Sequence, residues 1–87
     1  MNTIRSIKQK LTVFSPEKIE IFDESSKHIG HEGAKNGGGH FILTIVSCDF
    51  YEKSTMDRHR MIYAALGEMI GRDIHALSIK AYTPEEI

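Results

Sequence analysis

Apolar residues recur with a helical period at the start of the chain and with a strand period soon after it. Ile4, Ile7 and Leu11 are three and four residues apart, which predicts a short amphipathic helix. We expect this basic segment to belong to the fold rather than to a targeting peptide, because its apolar face can be buried. Ile19 and Ile21 then alternate with charged residues in KIEIFDES, which predicts a half-buried strand.

Two further segments have the composition of strands. FILTIVSCDF, residues 41–50, is apolar on both faces and rich in β-branched residues, so it predicts a well-covered strand with Cys48 packed inside it as a small hydrophobe. HALSIKAY alternates Leu77, Ile79 and Ala81 with more polar residues, which predicts a third strand.

The segment YEKSTMDRHRMIYAALGEMIGRD predicts the longest helix of the chain. Ser54 or Thr55 can cap its start, and Gly71 is placed to end it. Its apolar stripe consists of Met61, Ile62, Ala65, Leu66, Met69 and Ile70.

These elements predict a fold class. Their order is α-β-β-α-α-β, counting a short helix before the long one. The chain has 87 residues, of which 40% are hydrophobic and 26% charged, so we expect one globular domain over residues 1–87. The predicted architecture is an α+β sandwich with helices on one face of a three-stranded mixed sheet.

The segment HIGHEGAKNGGGHF, residues 28–41, lies between the first two predicted strands. His28 and His31 have the spacing of two zinc ligands and His40 could be a third, but a structural site needs four ligands and usually some thiolates. Its G-x-x-G at residues 30–33 would clamp a nucleotide only between two helices, and a phosphate-binding loop leads into a helix. Because these glycines lead into a strand, we expect neither a phosphate cradle nor a nucleotide clamp.

The charge balance bears on nucleic acids. Eleven basic and twelve acidic residues give a net charge of −1, whereas proteins that bind nucleic acid usually carry a positive excess. A basic cluster nevertheless remains near the start of the long helix and on the first helix. The candidate nucleic-acid-binding residues are Arg58, His59, Arg60, Lys8 and Lys10, although a solvated surface explains them more simply.

Other classes of function lack their signatures. The chain has no G-x-S-x-G motif, and no base adjoins Cys48 in sequence, so we do not expect an enzyme. A single cysteine excludes an internal disulfide framework and favours a reducing, cytoplasmic location. FILTIV is the longest apolar run and is far shorter than the ~20 residues that span a membrane.

Several short motifs occur in a specific order, with a histidine in the loop after the first. They are IEIFDES at 19–25, HF at 40–41 with IVS at 45–47, RHRMIY at 58–63, IHALSI at 74–79 and YTPEE at 82–86. In this order and spacing they resemble the BolA family over nearly the whole chain. The resemblance implies a helix-first, KH-like α+β fold, in agreement with the pattern of apolar residues.

The resemblance also implies a function. Members pair as heterodimers with monothiol CGFS-type glutaredoxins and share a [2Fe–2S] cluster, whose thiolates come from glutaredoxin and glutathione. The resemblance implies that the isolated chain does not bind this cluster, and we expect the isolated chain to be a monomer or a weak homodimer. The shared cluster would serve iron–sulfur cluster transfer or iron and redox sensing. The ligands implied here are His75 of the HAL motif and His28 of the loop, with His31 as the alternative, since the loop has no cysteine.

The family resemblance implies an alternative function as well. Some members act as DNA-binding transcriptional regulators in stress response and cell morphology, through their KH-like surface. For this chain, that function would use the basic cluster described above.

Overall fold

The structure is a computed structural model that describes residues 3–24 and 39–87. Within these residues the chain forms two α-helices, three strands and several short 3₁₀ turns. The main elements are α1 (Thr3–Lys10), β1 (Lys18–Asp23), β2 (Gly39–Val46), α2 (Thr55–Leu66) and β3 (Ile74–Tyr82).

The three strands form one mixed sheet in the order β1-β2-β3. β1 pairs antiparallel with β2, and β2 pairs parallel with β3. The parallel pair needs a crossover connection, and α2 supplies it. The predicted α+β arrangement is thus confirmed. In this topology the end of β1 and the starts of β2 and β3 all lie at one edge of the sheet.

The core forms between the helices and one face of the sheet. Along β2 the side chains of Phe41, Leu43 and Ile45 are buried and alternate with half-buried neighbours. Ile7 and Leu11 are fully buried, which confirms the predicted helical face at the start of the chain. The buried cluster contains Ile7, Leu11, Phe14, Phe41, Leu43, Ile45, Phe50, Ile62, Leu66, Met69 and Ile74.

Two predicted boundaries are wrong. α2 starts as expected, with the Ser54 hydroxyl accepting from the Asp57 N–H at 3.1 Å, but it ends at Leu66 instead of Gly71. Gly67 has a φ of 56°, which stops the helix there and lets a 3₁₀ turn carry Met69 into the core.

The second wrong boundary is at the end of β2. The strand stops at Val46, and the short helix expected before α2 is the 3₁₀ turn Cys48–Phe50. Buried Ser47 makes this turn, because its hydroxyl accepts from the Asp49 N–H at 3.0 Å and donates to the Phe14 carbonyl at 2.6 Å. Among residues 3–24 and 39–87, no helix is both long and apolar enough to cross a membrane.

Candidate functional site

His75 occupies an irregular position at the start of β3. Gly39 pairs with Ile74, but the next residue, His40, pairs with Ala76, so β3 carries one extra residue at His75. Such a bulge bends the strand and redirects a side chain. Ile74 is buried in the core at 1% exposure, and the usual alternation then breaks, because the next two residues, His75 and Ala76, are both exposed.

The bulge brings two imidazoles together. The rings of His40 and His75 have their centroids 5.1 Å apart, with 41° between the ring planes. His40 is half-buried on β2, on the opposite side of the strand from Phe41, so the pair lies on the sheet face that the helices leave open. Neutral imidazole nitrogens are common ligands of iron, zinc and copper, so this pair can supply two ligands to one metal.

The backbone around this histidine pair is fixed by hydrogen bonds. The Gly39 N–H donates to the Asp73 carbonyl at 3.0 Å, and the Glu24 N–H donates to the His40 carbonyl at 2.7 Å. These bonds tie the start of β2 to both neighbouring segments of the sheet. The position of His40 relative to His75 is therefore set by the fold itself.

The predicted loop ligands His28 and His31 lie in residues 25–38, outside the described part of the chain. The described residues on either side, Glu24 and Gly39, lie at the sheet edge that carries His75. Both ends of the segment are thus close to the histidine pair. The assignment of His28, or of His31, stays a prediction.

In the described ranges, 3–24 and 39–87, no three His, Cys, Asp or Glu side chains lie close enough together to hold a metal ion. A metal at the histidine pair would thus have only two ligands from these residues. Its remaining ligands would have to be solvent or come from groups outside them.

Cys48 does not pack inside a strand, contrary to the prediction. It is exposed in the turn after β2, where its Sγ lies 3.8 Å from a carboxylate oxygen of Glu17. β2 has eight residues and is thus about 26 Å long, with His40 near its start and Cys48 beyond its end. Cys48 is therefore too far away to share a metal with the histidine pair.

Arg58 belongs to an internal clamp. Its side chain is 12% exposed and donates to the carbonyls of Lys53 at 3.0 Å and Ala81 at 2.9 Å, and to both carboxylate oxygens of Glu86. The hydrogen bonds from Arg58 and from the backbone of Thr83 lower the pKa of Glu86 from 4.5 to about 2. The guanidinium thus holds the C-terminal turn against the start of α2.

The other candidate nucleic-acid-binding residues are placed differently. Lys8 and Lys10 are exposed on α1, and no acidic residue lies in the first turn of that helix. Arg60 is 73% exposed and lies 3.9 Å from Asp57, whereas His59 is half-buried. Three of the five candidate residues, Lys8, Lys10 and Arg60, are therefore exposed, and the role of the set in binding stays a prediction.

His40 is the residue whose role the sequence did not assign. In the sequence it appeared only as a third zinc candidate and as the first residue of the HF motif. Its contact with His75 depends on the parallel pairing of β2 with β3 and on the bulge. The sequence did contain one signal for this contact, because each of two predicted strands begins with a histidine.

Comparison with known proteins gives consistent matches. The model of the BolA-like protein family matches residues 11–86. BolA-like protein 1 of Homo sapiens is 39% identical over 93% of this chain, which spans 58% of the length of the human protein. The DNA-binding transcriptional regulator BolA of Escherichia coli (strain K12) is 37% identical over 92% of this chain and 74% of its own length.

A solved structure supports the same relationship. The BolA domain of SufE1 from Arabidopsis thaliana superimposes with a TM-score of 0.83 at 39% sequence identity. The superposition covers 100% of this chain and 99% of that one. The likeness therefore extends through the whole arrangement of helices and strands.

Proposed function

Because the chain belongs to the BolA family, we propose that it pairs with a monothiol CGFS-type glutaredoxin and contributes histidine ligands to a shared [2Fe–2S] cluster. In this proposal the chain is a non-enzymatic partner protein of the cytoplasm. It acts in cluster transfer or in iron and redox sensing. Glutaredoxin and glutathione supply the thiolates, and this chain supplies His75 with His28, or with His31 as the alternative.

The exposure of His75 at the sheet edge where the segment with His28 and His31 begins and ends is the observation that carries the proposal. Two imidazoles can replace two thiolates on one iron of a [2Fe–2S] centre, which raises its reduction potential. The bulge exposes His75 at the start of β3, and Glu24 and Gly39, which flank the segment containing His28 and His31, lie at the same edge of the sheet. The donor set therefore suits an iron that already carries sulfur ligands from a partner.

The chain's own part in this chemistry is binding and orientation. A bound cluster supplies electron transfer or transferable iron and sulfide. Imidazole binds iron in its neutral form, so protons compete with the metal and capture of the cluster weakens as the solution becomes acidic. Among residues 3–24 and 39–87, neither helix covers the sheet face that carries the histidine pair, so these residues leave room for a partner protein to approach.

The visible spectrum of the cluster tests the proposal. Addition of this chain to a glutathione-bound, cluster-loaded monothiol glutaredoxin should change the visible absorption and circular dichroism, because the ligands of one iron change. His75→Ala should abolish the change, whereas His59→Ala, on α2, should preserve it. A His75→Ala spectrum identical to that of the wild type would show that this ligand assignment is wrong.

DNA binding is the second candidate function. The E. coli relative is named as a DNA-binding transcriptional regulator, and Lys8, Lys10 and Arg60 are exposed. Duplex DNA should then be retarded in a gel shift that weakens as salt rises. Lys8→Glu should weaken binding more than Lys18→Glu on β1 does, although each of the two variants changes the net charge of the chain by two units. Equal loss in both variants would indicate only a non-specific charge effect.

A further inference from the structure

The geometry of the His40–His75 pair points to a second use of the same edge of the sheet. We propose that these two imidazoles together bind one divalent transition-metal ion of the Zn²⁺ class on the isolated chain. This inference does not rest on the proposed function, because it requires no glutaredoxin, glutathione or thiolate. The remaining coordination positions would be filled by water.

The separation of the rings matches that of two imidazoles on one tetrahedral metal. With a Zn–N bond of about 2.0–2.1 Å and a ring radius of about 1.1 Å, zinc lies about 3.2 Å from the centroid of a ring that binds it. Two such rings at the tetrahedral angle of about 109° have centroids about 5.2 Å apart. A square-planar ion, with an angle of about 90°, would bring them to about 4.5 Å. The separation in the structure is 5.1 Å, which fits the tetrahedral ion better.

The pair is held together before any metal arrives. His40 is held in β2 by its pairing with Ala76 of β3 and by the Glu24 N–H, which donates to its carbonyl, and the bulge fixes the start of β3 where His75 lies. The Gly71 N–H, which donates to the Ile74 carbonyl at 2.8 Å, anchors the residue just before His75. A metal would thus bind two ligands that the fold has already ordered, and the cost of ordering them would be small.

Two nitrogen ligands define a site of moderate strength. Structural zinc sites use four protein ligands and catalytic sites three, so two ligands leave an ion that is exchangeable and open to solvent. Because the same His75 is used in the proposed cluster site, zinc bound here would compete with capture of the cluster. This competition, unlike the zinc site itself, rests on the proposed function.

Calorimetric titration of the metal-free chain with Zn²⁺ alone tests the site. The wild type should bind one equivalent, and the double variant His28→Ala/His31→Ala should retain that binding. His40→Ala and His75→Ala should each weaken it at least about tenfold, the smallest effect typical even of residues that only support a metal ligand. The combined His40→Ala/His75→Ala variant should lose no more affinity for Zn²⁺ than either single variant, because removal of one ring already destroys the chelate.

Nuclear magnetic resonance of the imidazole nitrogens identifies the bound residues and checks the fold. Zn²⁺ should shift the nitrogen resonances of His40 and His75 while those of His59 stay in place, and His40→Gln should keep a native backbone spectrum but lose the response. Zinc binding that survives His40→Ala, or that disappears in His28→Ala/His31→Ala, would overturn the proposal. A simple ring–ring contact, with centroids also about 4.5–7 Å apart, would give no response to zinc and would overturn it too.

Discussion

Replacement of Arg58 by lysine tests whether this residue is a structural clamp or a surface cation. A lysine ammonium cannot reproduce the planar fork that reaches the carbonyls of Lys53 and Ala81 and the carboxylate of Glu86. At least one partly buried carbonyl is then left unsatisfied, at a cost of about 1–3 kcal/mol. Since 1 kcal/mol lowers the melting temperature of a domain of this size by about 4–8 °C, we expect Arg58→Lys to melt roughly 4–24 °C lower than the wild type.

Thermal unfolding followed by circular dichroism at pH 7 measures this difference. Arg60→Lys is the matched control, because Arg60 is 73% exposed and lies 3.9 Å from Asp57. Exposed replacements of this kind usually change stability by less than about 0.5 kcal/mol. Both variants keep the charge of the chain, so a change in net charge cannot explain a difference between them. If Arg58→Lys melts no lower than Arg60→Lys, the clamp does not stabilise the fold and the reasoning is refuted.

Three further predictions concern the fold. The pKa of Glu86 is lowered from 4.5 to about 2, so its contribution to stability is present above pH 4.5 and is lost as the pH falls towards 2. Glu86→Gln should therefore be less stable than the wild type at pH 7, and the difference in melting temperature should shrink as the pH falls from 4.5 through about 2; a constant difference would contradict this. Leu43→Ala, at a fully buried position, should cost about 2–5 kcal/mol in urea unfolding, and a smaller loss would show that the site collapses. Gly67→Ala places a side chain at a φ of 56° and should cost about 1–3 kcal/mol in the same assay, whereas an unchanged midpoint would exclude strain there.

The periodicity of apolar residues was sufficient to identify the main elements. Ile4, Ile7 and Leu11 predicted the buried face of the first helix, and the alternation in KIEIFDES and HALSIKAY predicted β1 and β3. These signals are local, because burial of one face imposes a period of 3.6 or 2 on the residues of the element itself. They also carried the correct fold class.

The errors arose where contacts between distant residues override the local pattern. FILTIVSCDF looks like one continuous strand, but Ser47 bonds to the carbonyl of Phe14, which is 33 positions away, and starts a turn. Cys48 is exposed as a result. Nothing in the local sequence distinguishes a buried serine that caps a turn from a polar residue within a strand.

Only one histidine of the pair in the candidate site could be predicted as a ligand from the sequence. His75 followed from the HAL motif, but the approach of His40 depends on the order of the strands, the parallel register and one extra residue in β3. Arg58 shows the opposite case. Its place in a basic cluster concealed a clamp formed with Ala81 and Glu86, which are 23 and 28 positions further along the chain. The assignment of His28 or His31 as the loop ligand remains a prediction.

Nitrogen hyperfine coupling at the reduced cluster tests the central claim most directly. The chain, labelled with ¹⁵N only in its histidines, would be combined with unlabelled, cluster-loaded monothiol glutaredoxin, and the complex reduced and measured by pulsed electron paramagnetic resonance. The proposed function predicts strong ¹⁵N couplings from two directly bound imidazoles, of which the coupling of His75 disappears in His75→Ala, whereas both persist in His59→Ala. A reduced cluster without ¹⁵N coupling, with thiolates as its only ligands, would contradict it.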